Sequence, residues 1–238
     1  MTNVLHIARR ELAAYFGSPI AYVVGAVYLA VMGGMFGLIL VYSREATMAY
    51  LFYHGVSLLF LVLVSQVLTM RLLAEEQRQG TMELLLTSPV RDGEVVLGKY
   101  LASLGVFLAL VGLTLAFPLV LLRLGNPDIG PLLSGYLGYV LLGAAMLAIG
   151  VFASSVTQNQ IVAAVLGIGI NLILWVSGDL GDTVGEGLRA VVQYLPLFAH
   201  YTDMVRGIID TKDIIYLLSV IVLFLFLSTR MVEARRWK

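Results

Sequence analysis

Residues 129–178 read IGPLLSGYLGYVLLGAAMLAIGVFASSVTQNQIVAAVLGIGINLILWVSG, 50 positions without one Asp, Glu, Lys or Arg. A straight helix of that length would reach roughly 75 Å at ~1.5 Å per residue, whereas the hydrocarbon core of a bilayer is about 30 Å thick. The run must fold back on itself, and its polar middle, Ser154-Ser155-Val156-Thr157-Gln158-Asn159-Gln160, marks the turn. Two spans joined by a short polar connection follow, so the chain is a multi-span membrane protein.

Outward from this stretch, further charge-free windows cover 12–43, 46–70, 100–122 and 214–229. An ionised side chain at mid-bilayer costs roughly 2.5–3.5 kcal/mol, so Arg44, Arg71, Arg123 and Arg230 bound the spans. Six spans are expected, at 20–42, 51–71, 96–122, 132–153, 160–177 and 213–230. The last window is short, and Lys212 and Arg230 can lengthen it by snorkelling. The fifth is interrupted by Asn171 and weakened by Gly167 and Gly169. The predicted fold is an all-α membrane protein, a single domain over 1–238.

Composition agrees. Hydrophobic residues make up 60% and charged residues 13%, against about 25% charged in soluble domains. A net charge of zero removes any general attraction to nucleic acid. The absence of cysteine removes disulfides, thiol catalysis and thiolate metal sites together. The first apolar run is too long for a signal-peptide core and no small-x-small cleavage site follows it. Arg9-Arg10 followed by Glu11-Leu12 makes a poor twin-arginine signal. The first span is expected to remain in place.

The positive-inside rule sets direction. With the N-terminus cytoplasmic, the inner segments hold ten of the 15 basic residues, among them Arg9, Arg10, Arg71, Arg78, Arg91, Lys99, Arg230 and Arg235. The outer segments hold five: Arg44, Arg123, Arg189, Arg206 and Lys212. Both termini are therefore expected inside. Residues 3–17 predict an amphipathic helix at the membrane surface, with Val4, Leu5, Ala8, Leu12, Tyr15 and Phe16 on one face, ended by Ser18-Pro19. The outer segment 178–212, broken at Pro196, predicts one or two short helices at the outer leaflet.

The most informative polar stretch is the loop 72–95 between spans two and three. Glu75, Glu76 and Arg78 carry span two out into water, and Gly80 permits a turn. Thr81 can cap a short new helix with Glu83 in its positive first turn. Met82, Leu84, Leu85 and Leu86 give that helix exposed apolar side chains, and Ser88-Pro89 ends it. A helix only ~10 Å long is marginal alone and needs a partner surface.

This loop, Glu-Glu-x-x-x-Gly-Thr-x-Glu-x-Leu-Leu-x-x-Pro followed by Val96-Leu97-Gly98-Lys99, resembles the first cytoplasmic loop of ABC-type-2 exporter permeases. Ser18-Pro19-Ile20-Ala21-Tyr22-Val23, Arg206-Gly207-Ile208-Ile209-Asp210-Thr211 and the terminal Glu233-Ala-Arg235-Arg236-Trp237 resemble the gliding-motility-associated branch of that family. The resemblance implies six spans, an N-terminal interfacial helix, and a short coupling helix that docks on an ABC ATPase subunit. It makes Glu75, Glu76, Arg78, Gly80, Thr81, Met82, Glu83, Leu84 and Leu85 the expected coupling residues. It also implies a dimeric core, from a second copy or a related permease, in a bacterial cytoplasmic membrane. Two copies of a separate ATPase, membrane lipids and a periplasmic auxiliary protein are the expected partners, with no cofactor and no catalytic residue in this chain.

Several features point nowhere else. Gly93-Glu-Val-Val-Leu-Gly98-Lys99-Tyr100 nearly matches a phosphate loop, but Tyr100 stands where a Ser or Thr would hold magnesium, and no strand precedes it. His6, His54 and His200 fall too far apart for a shared metal. Gln66 and Asn171, the main intramembrane amides, suit interhelical hydrogen bonding. In span three Gly98, Ala102, Gly105, Ala109, Gly112 and Ala116 alternate at four and three residues, a small-residue face for close helix packing. A non-transporting scaffold served by the same ATPase stays open. A secondary transporter or channel fits less well, because the spans hold essentially no ionisable groups. The substrate is not legible.

Overall fold

The computed structural model describes residues 2–43, 47–80, 91–180 and 194–235. They form helices throughout: α1 (Thr2–Phe16), α2 (Pro19–Ser43), α3 (Ala49–Tyr53), α4 (Gly55–Thr69), α5 (Ala74–Gln79), α6 (Asp92–Thr114), α7 (Ala116–Leu124), α8 (Ile129–Val156), α9 (Gln160–Leu180), α10 (Leu197–Val205) and α11 (Thr211–Arg235). Six stretches are long and apolar enough to cross a membrane: Pro19–Tyr42, Gly55–Gln79, Asp92–Leu124, Ile129–Val156, Gln160–Ser177 and Thr211–Arg235.

The 50-residue uncharged run folds back as expected, into α8 and α9. Its turn is closed by side chains, with Thr157 Oγ1 accepting from Asn159 N and Asn159 Oδ1 accepting from Ile161 N at 2.9 Å. α8 is the centre of the bundle. Its membrane window is 78% buried, against 22% for the first, fifth and sixth windows, which therefore line the perimeter. Without a hydrophobic drive between helices in lipid, close packing must do the holding. Gly143 supplies it against span three, because a Cβ there would stand 2.2 Å from Phe107 Cζ.

Each break in a span has a chemical cause. Pro118 has no N–H and its ring crowds the carbonyl four residues earlier, so span three divides into α6 and α7. The freed Thr114 carbonyl accepts from the Tyr136 hydroxyl of α8 at 2.9 Å. Span two divides at both ends. His54 adopts extended backbone (ψ 129°) and caps α4, its Nδ1 accepting from Val56 N, which separates α3 from α4. At the other end Met70–Leu73 make a turn before α5, and Ser154 of α8 satisfies it. Ser154 Oγ accepts from Leu73 N and Ala74 N and donates to Met70 O, all at 3.0 Å. In hydrocarbon such freed backbone groups need a protein partner.

The bundle has two ends. One, here the base, carries α1, α5, the 154–160 turn and the last turn of α11, where Arg235 donates to Val156 O at 2.6 Å. The far end carries α3 and α10, joined by Tyr201 Oη donating to Phe52 O at 3.2 Å. There the His200 ring meets Asp213 of α11 at 2.7 Å and stacks on Tyr216. α10 starts immediately after Pro196, as the break at that residue predicts.

α1 differs in detail from its predicted face. It lies along α6 with Ile7 and Tyr15 buried, while Leu5 and Phe16 are exposed. Its packing stripe is therefore turned toward Ile7 and Glu11, and two of the expected apolar residues point away from the bundle.

Candidate functional site at the base of the bundle

α5 is only six residues long, yet consecutive side chains on it reach different parts of the bundle. Glu75 accepts from Gln160 at the start of α9, and also from Gln79 at 2.6 Å and Arg78 at 3.1 Å. Glu76 Oε1 accepts from Lys99 of α6 at 2.7 Å. Gln77 Nε2 donates to Ser155 O of α8 at 3.1 Å. Through these contacts a short segment of the chain is bolted to α6, α8 and α9.

Lys99 is the centre of this arrangement. It is 1% exposed, and its ammonium also donates to Glu11 Oε1 of α1 at 3.0 Å. Arg10 completes the cluster, 3.1 Å from Glu11 and 3.8 Å from Glu76. Two basic side chains thus face two glutamate carboxyl groups. Burial alone would raise the Glu11 carboxyl, but Lys99 and Arg10 beside it outweigh that and hold it below the usual glutamate range. A cluster built on a buried ammonium contributes little net stability when complete, but removing the buried Lys99 leaves uncompensated charge and costs about 3–5 kcal/mol.

The approach of α1 to α6 depends on small residues. A Cβ on Gly98 would stand 2.7 Å from Ile7 Cγ2, and one on Gly105 would stand 2.8 Å from Leu12 Cδ1. Ala102 between them is fully buried. The other members of the stripe, Ala109, Gly112 and Ala116, are exposed. So the stripe divides: its basal half receives α1, and its far half faces outward. α1 is pinned twice more. The Tyr15 hydroxyl donates to Leu68 O of α4, with the Arg71 guanidinium 4.5 Å above its ring. Asn3 donates to Glu94 Oε2 of α6 at 3.2 Å. Burial raises the Tyr15 phenol.

Of the residues expected to couple the chain to a motor, Glu75, Glu76, Arg78 and Gly80 are brought together on and just after α5. Gly80 has φ +70°, the left-handed region that residues with a Cβ avoid. Thr81, Met82, Glu83, Leu84 and Leu85 lie outside the described residues. Lys99, which the sequence counted only among the basic residues of the inner segments, is instead the hub, and Glu11, Gln77, Ser154 and Gln160 were not singled out for this role. A lysine inside an otherwise apolar helix is the one signal that could have flagged it. Its partners, 23 and 88 residues away, carry none.

The near match to a phosphate loop lies inside α6, where backbone N–H groups beyond the first turn are used within the helix. Among the described residues no group of three or more His, Cys, Asp or Glu could hold a metal. Gln66 does bond between helices, Nε2 donating to Met146 O at 3.3 Å. Asn171 instead donates within its own helix, to Gly167 O at 2.8 Å.

Residues 37–230 match the family described as "ABC-2 family transporter protein". The chain belongs to the ABC-2 transporter family. That family assignment covers everything from the second half of α2 to nearly the end of α11. Among curated proteins the ABC-2 chain is similar to the "Probable multidrug ABC transporter permease YbhS" of Escherichia coli strain K12 and to the protein of the same name from Escherichia coli O157:H7. Each is 26% identical over 187 residues, 77% of this chain and 49% of the relative. The chain thus spans about half the length of the curated relatives it matches. With six membrane-crossing helices, this ABC-2 protein is a multi-pass membrane protein of permease type.

Proposed function

We propose that the chain is the permease subunit of a bacterial exporter whose power comes from a separate ATPase that docks at the base of the bundle. One observation carries the reading. α5 joins α6, α8 and α9 through Glu76, Gln77 and Glu75, immediately before Gly80 and the apolar stretch Met82–Leu86. Force applied to that stretch enters a segment rooted in most of the bundle. Lys99 carries the same displacement to α1 and span three. The apolar stretch acts as the coupling helix, the base faces the cytoplasm, and both termini are cytoplasmic.

ATP-driven closure of two ATPase copies shifts α5 against the base of α6 and alters the cavity between two permease copies or between this chain and a related permease. A periplasmic auxiliary protein completes the path. The chain itself carries out no chemistry. The spans present Leu, Val, Ile, Ala and Gly, which suits lipid-like or amphipathic cargo, and the name of the Escherichia coli relatives, "Probable multidrug ABC transporter permease YbhS", supports cargo of that kind. The resemblance of Ser18–Val23, Arg206–Thr211 and Glu233–Trp237 to the gliding-motility branch supports the same arrangement.

The test is Gly80→Val in the full chain expressed with its ATPase. At φ +70° a β-branched residue is strained by about 1–2 kcal/mol, so the exit from α5 is displaced while the spans are untouched. Normal membrane insertion is expected, together with loss of ATPase copurification or of cargo-stimulated ATP hydrolysis. Unchanged assembly and unchanged stimulation would remove this loop from the mechanism.

A further inference from the structure

A cavity of about 720 Å³ opens at the base between α5, the turn after α8 and the end of α11. Two of its lining residues are cationic, Arg78 from α5 and Arg235 from α11, and none is acidic. Thr157, Gln158, Asn159 and Gln160 supply the rest of its polar wall. Of the neighbouring carboxylates, Glu75 takes one Arg78 nitrogen at 3.1 Å and leaves that guanidinium its other donors, while Glu233 is held at 2.7 Å by Arg230, a residue outside the cavity. Glu75 also accepts from Gln160 and Gln79. Arg235 bonds a backbone carbonyl, that of Val156, and among the described residues it pairs with no carboxylate. Each guanidinium has five N–H donors in a planar fork, so both keep donors to spare for an oxyanion.

The mouth of this cavity meets a lipid-facing surface. Ile161, which lines it, is 74% exposed, and Val165 one turn along α9 is 62% exposed. Polar cavity and apolar column are continuous, which is the shape of a headgroup above an acyl chain. Guanidinium forks match phosphate geometry, and arginines near a bilayer surface attract anionic lipid. We infer that Arg78 and Arg235 form a binding site for the phosphate of an anionic phospholipid whose tail lies on the exposed face of α9. The site would bridge α5 and α11, so its occupant would hold the start of the loop against the end of span six. The inference does not depend on the proposed exporter function, because lipid retention can be read without any ATPase.

The experiment is native mass spectrometry of the full chain in detergent, titrated separately with dioleoylphosphatidylglycerol and dioleoylphosphatidylcholine, and then with inorganic phosphate added to the lipid-loaded protein. Preferential retention of phosphatidylglycerol is expected, by about thirtyfold over the zwitterionic lipid for two arginines. The double variant Arg78→Gln/Arg235→Gln should lose that preference, and Arg78→Lys/Arg235→Lys should recover part of it. Arg123→Gln, at the far end, should leave it intact. Both target arginines sit at the surface, and a size-exclusion profile matching the parent shows that the variants fold. Equal retention of the two lipids, a double variant that behaves like the parent, or an equal loss in Arg123→Gln would overturn the site. Phosphate that displaces the lipid completely would mark a free-anion site and overturn the lipid assignment.

Discussion

Lys99 Nζ stands 2.7 Å from Glu76 Oε1 although the two residues come from different helices, one before and one after residues 81–90. This ion pair joins α5 to α6, and Glu11 on α1 shares the same ammonium. The base is therefore one electrostatic unit made of three chain segments.

Replacing Lys99 by Met should leave Glu11 and Glu76 facing each other without their central cation. A loss of about 3–5 kcal/mol is expected, read as a lower apparent midpoint in thermal unfolding of the detergent-purified protein. Adding Glu11→Gln and Glu76→Gln to the same chain should restore most of it. A Lys99→Met protein as stable as the parent would show that the cluster is solvated and unimportant.

Acidification should act through Glu11. Its folded-state carboxyl is held below the ordinary glutamate range by Lys99 and Arg10. The linked stability is thus fully present above the unfolded value and disappears as pH falls through the folded one. Stability should decline on the acid side of the ordinary glutamate range, and Glu11→Gln should flatten that decline. A parallel pH profile for the two proteins would contradict the assignment.

Ser154→Ala removes two acceptor contacts and one donor contact at the α4–α5 turn. Leaving buried backbone groups without partners costs about 1–3 kcal/mol. Hydrogen exchange at the amides of Leu73 and Ala74 should accelerate while exchange in α8 stays slow. If those amides remain protected, another group caps the turn.

Gly98→Leu should displace α1, since even its Cβ would meet Ile7 at under the normal contact distance. Faster hydrogen exchange across residues 2–16 is the expected readout. Gly112→Leu serves as the comparison, because nothing lies within 4 Å of a Cβ there, and exchange in α1 should not change. Protection of α1 in both variants would mean that α1 does not rest on this face.

Much of the base was legible one residue at a time. Glu75, Glu76, Arg78 and Gly80 stand out in sequence because charge and glycine interrupt an apolar span, and the left-handed φ of Gly80 is what a glycine at a turn suggests. Their contacts were not legible. Nothing local to Glu76 distinguishes the carboxylate that turns toward Lys99 from that of Glu75, which turns toward Gln160. The division of the small stripe was likewise hidden, because Gly98 and Gly112 look alike until α1 covers one of them.

The sequence by itself determined how many times the chain crosses the bilayer and where it turns, because hydrocarbon tolerates long uncharged helices and expels charge. It determined the turn at Gly80 for steric reasons confined to a few neighbouring atoms, whereas the break before Pro118 lies inside the uninterrupted span expected at 96–122 and emerged from the structure. Only the tertiary structure decided that α1 lies on α6 and that Lys99 is shared between Glu11 and Glu76, since contacts across 88 and 23 residues arise from how helices pack and leave no local pattern.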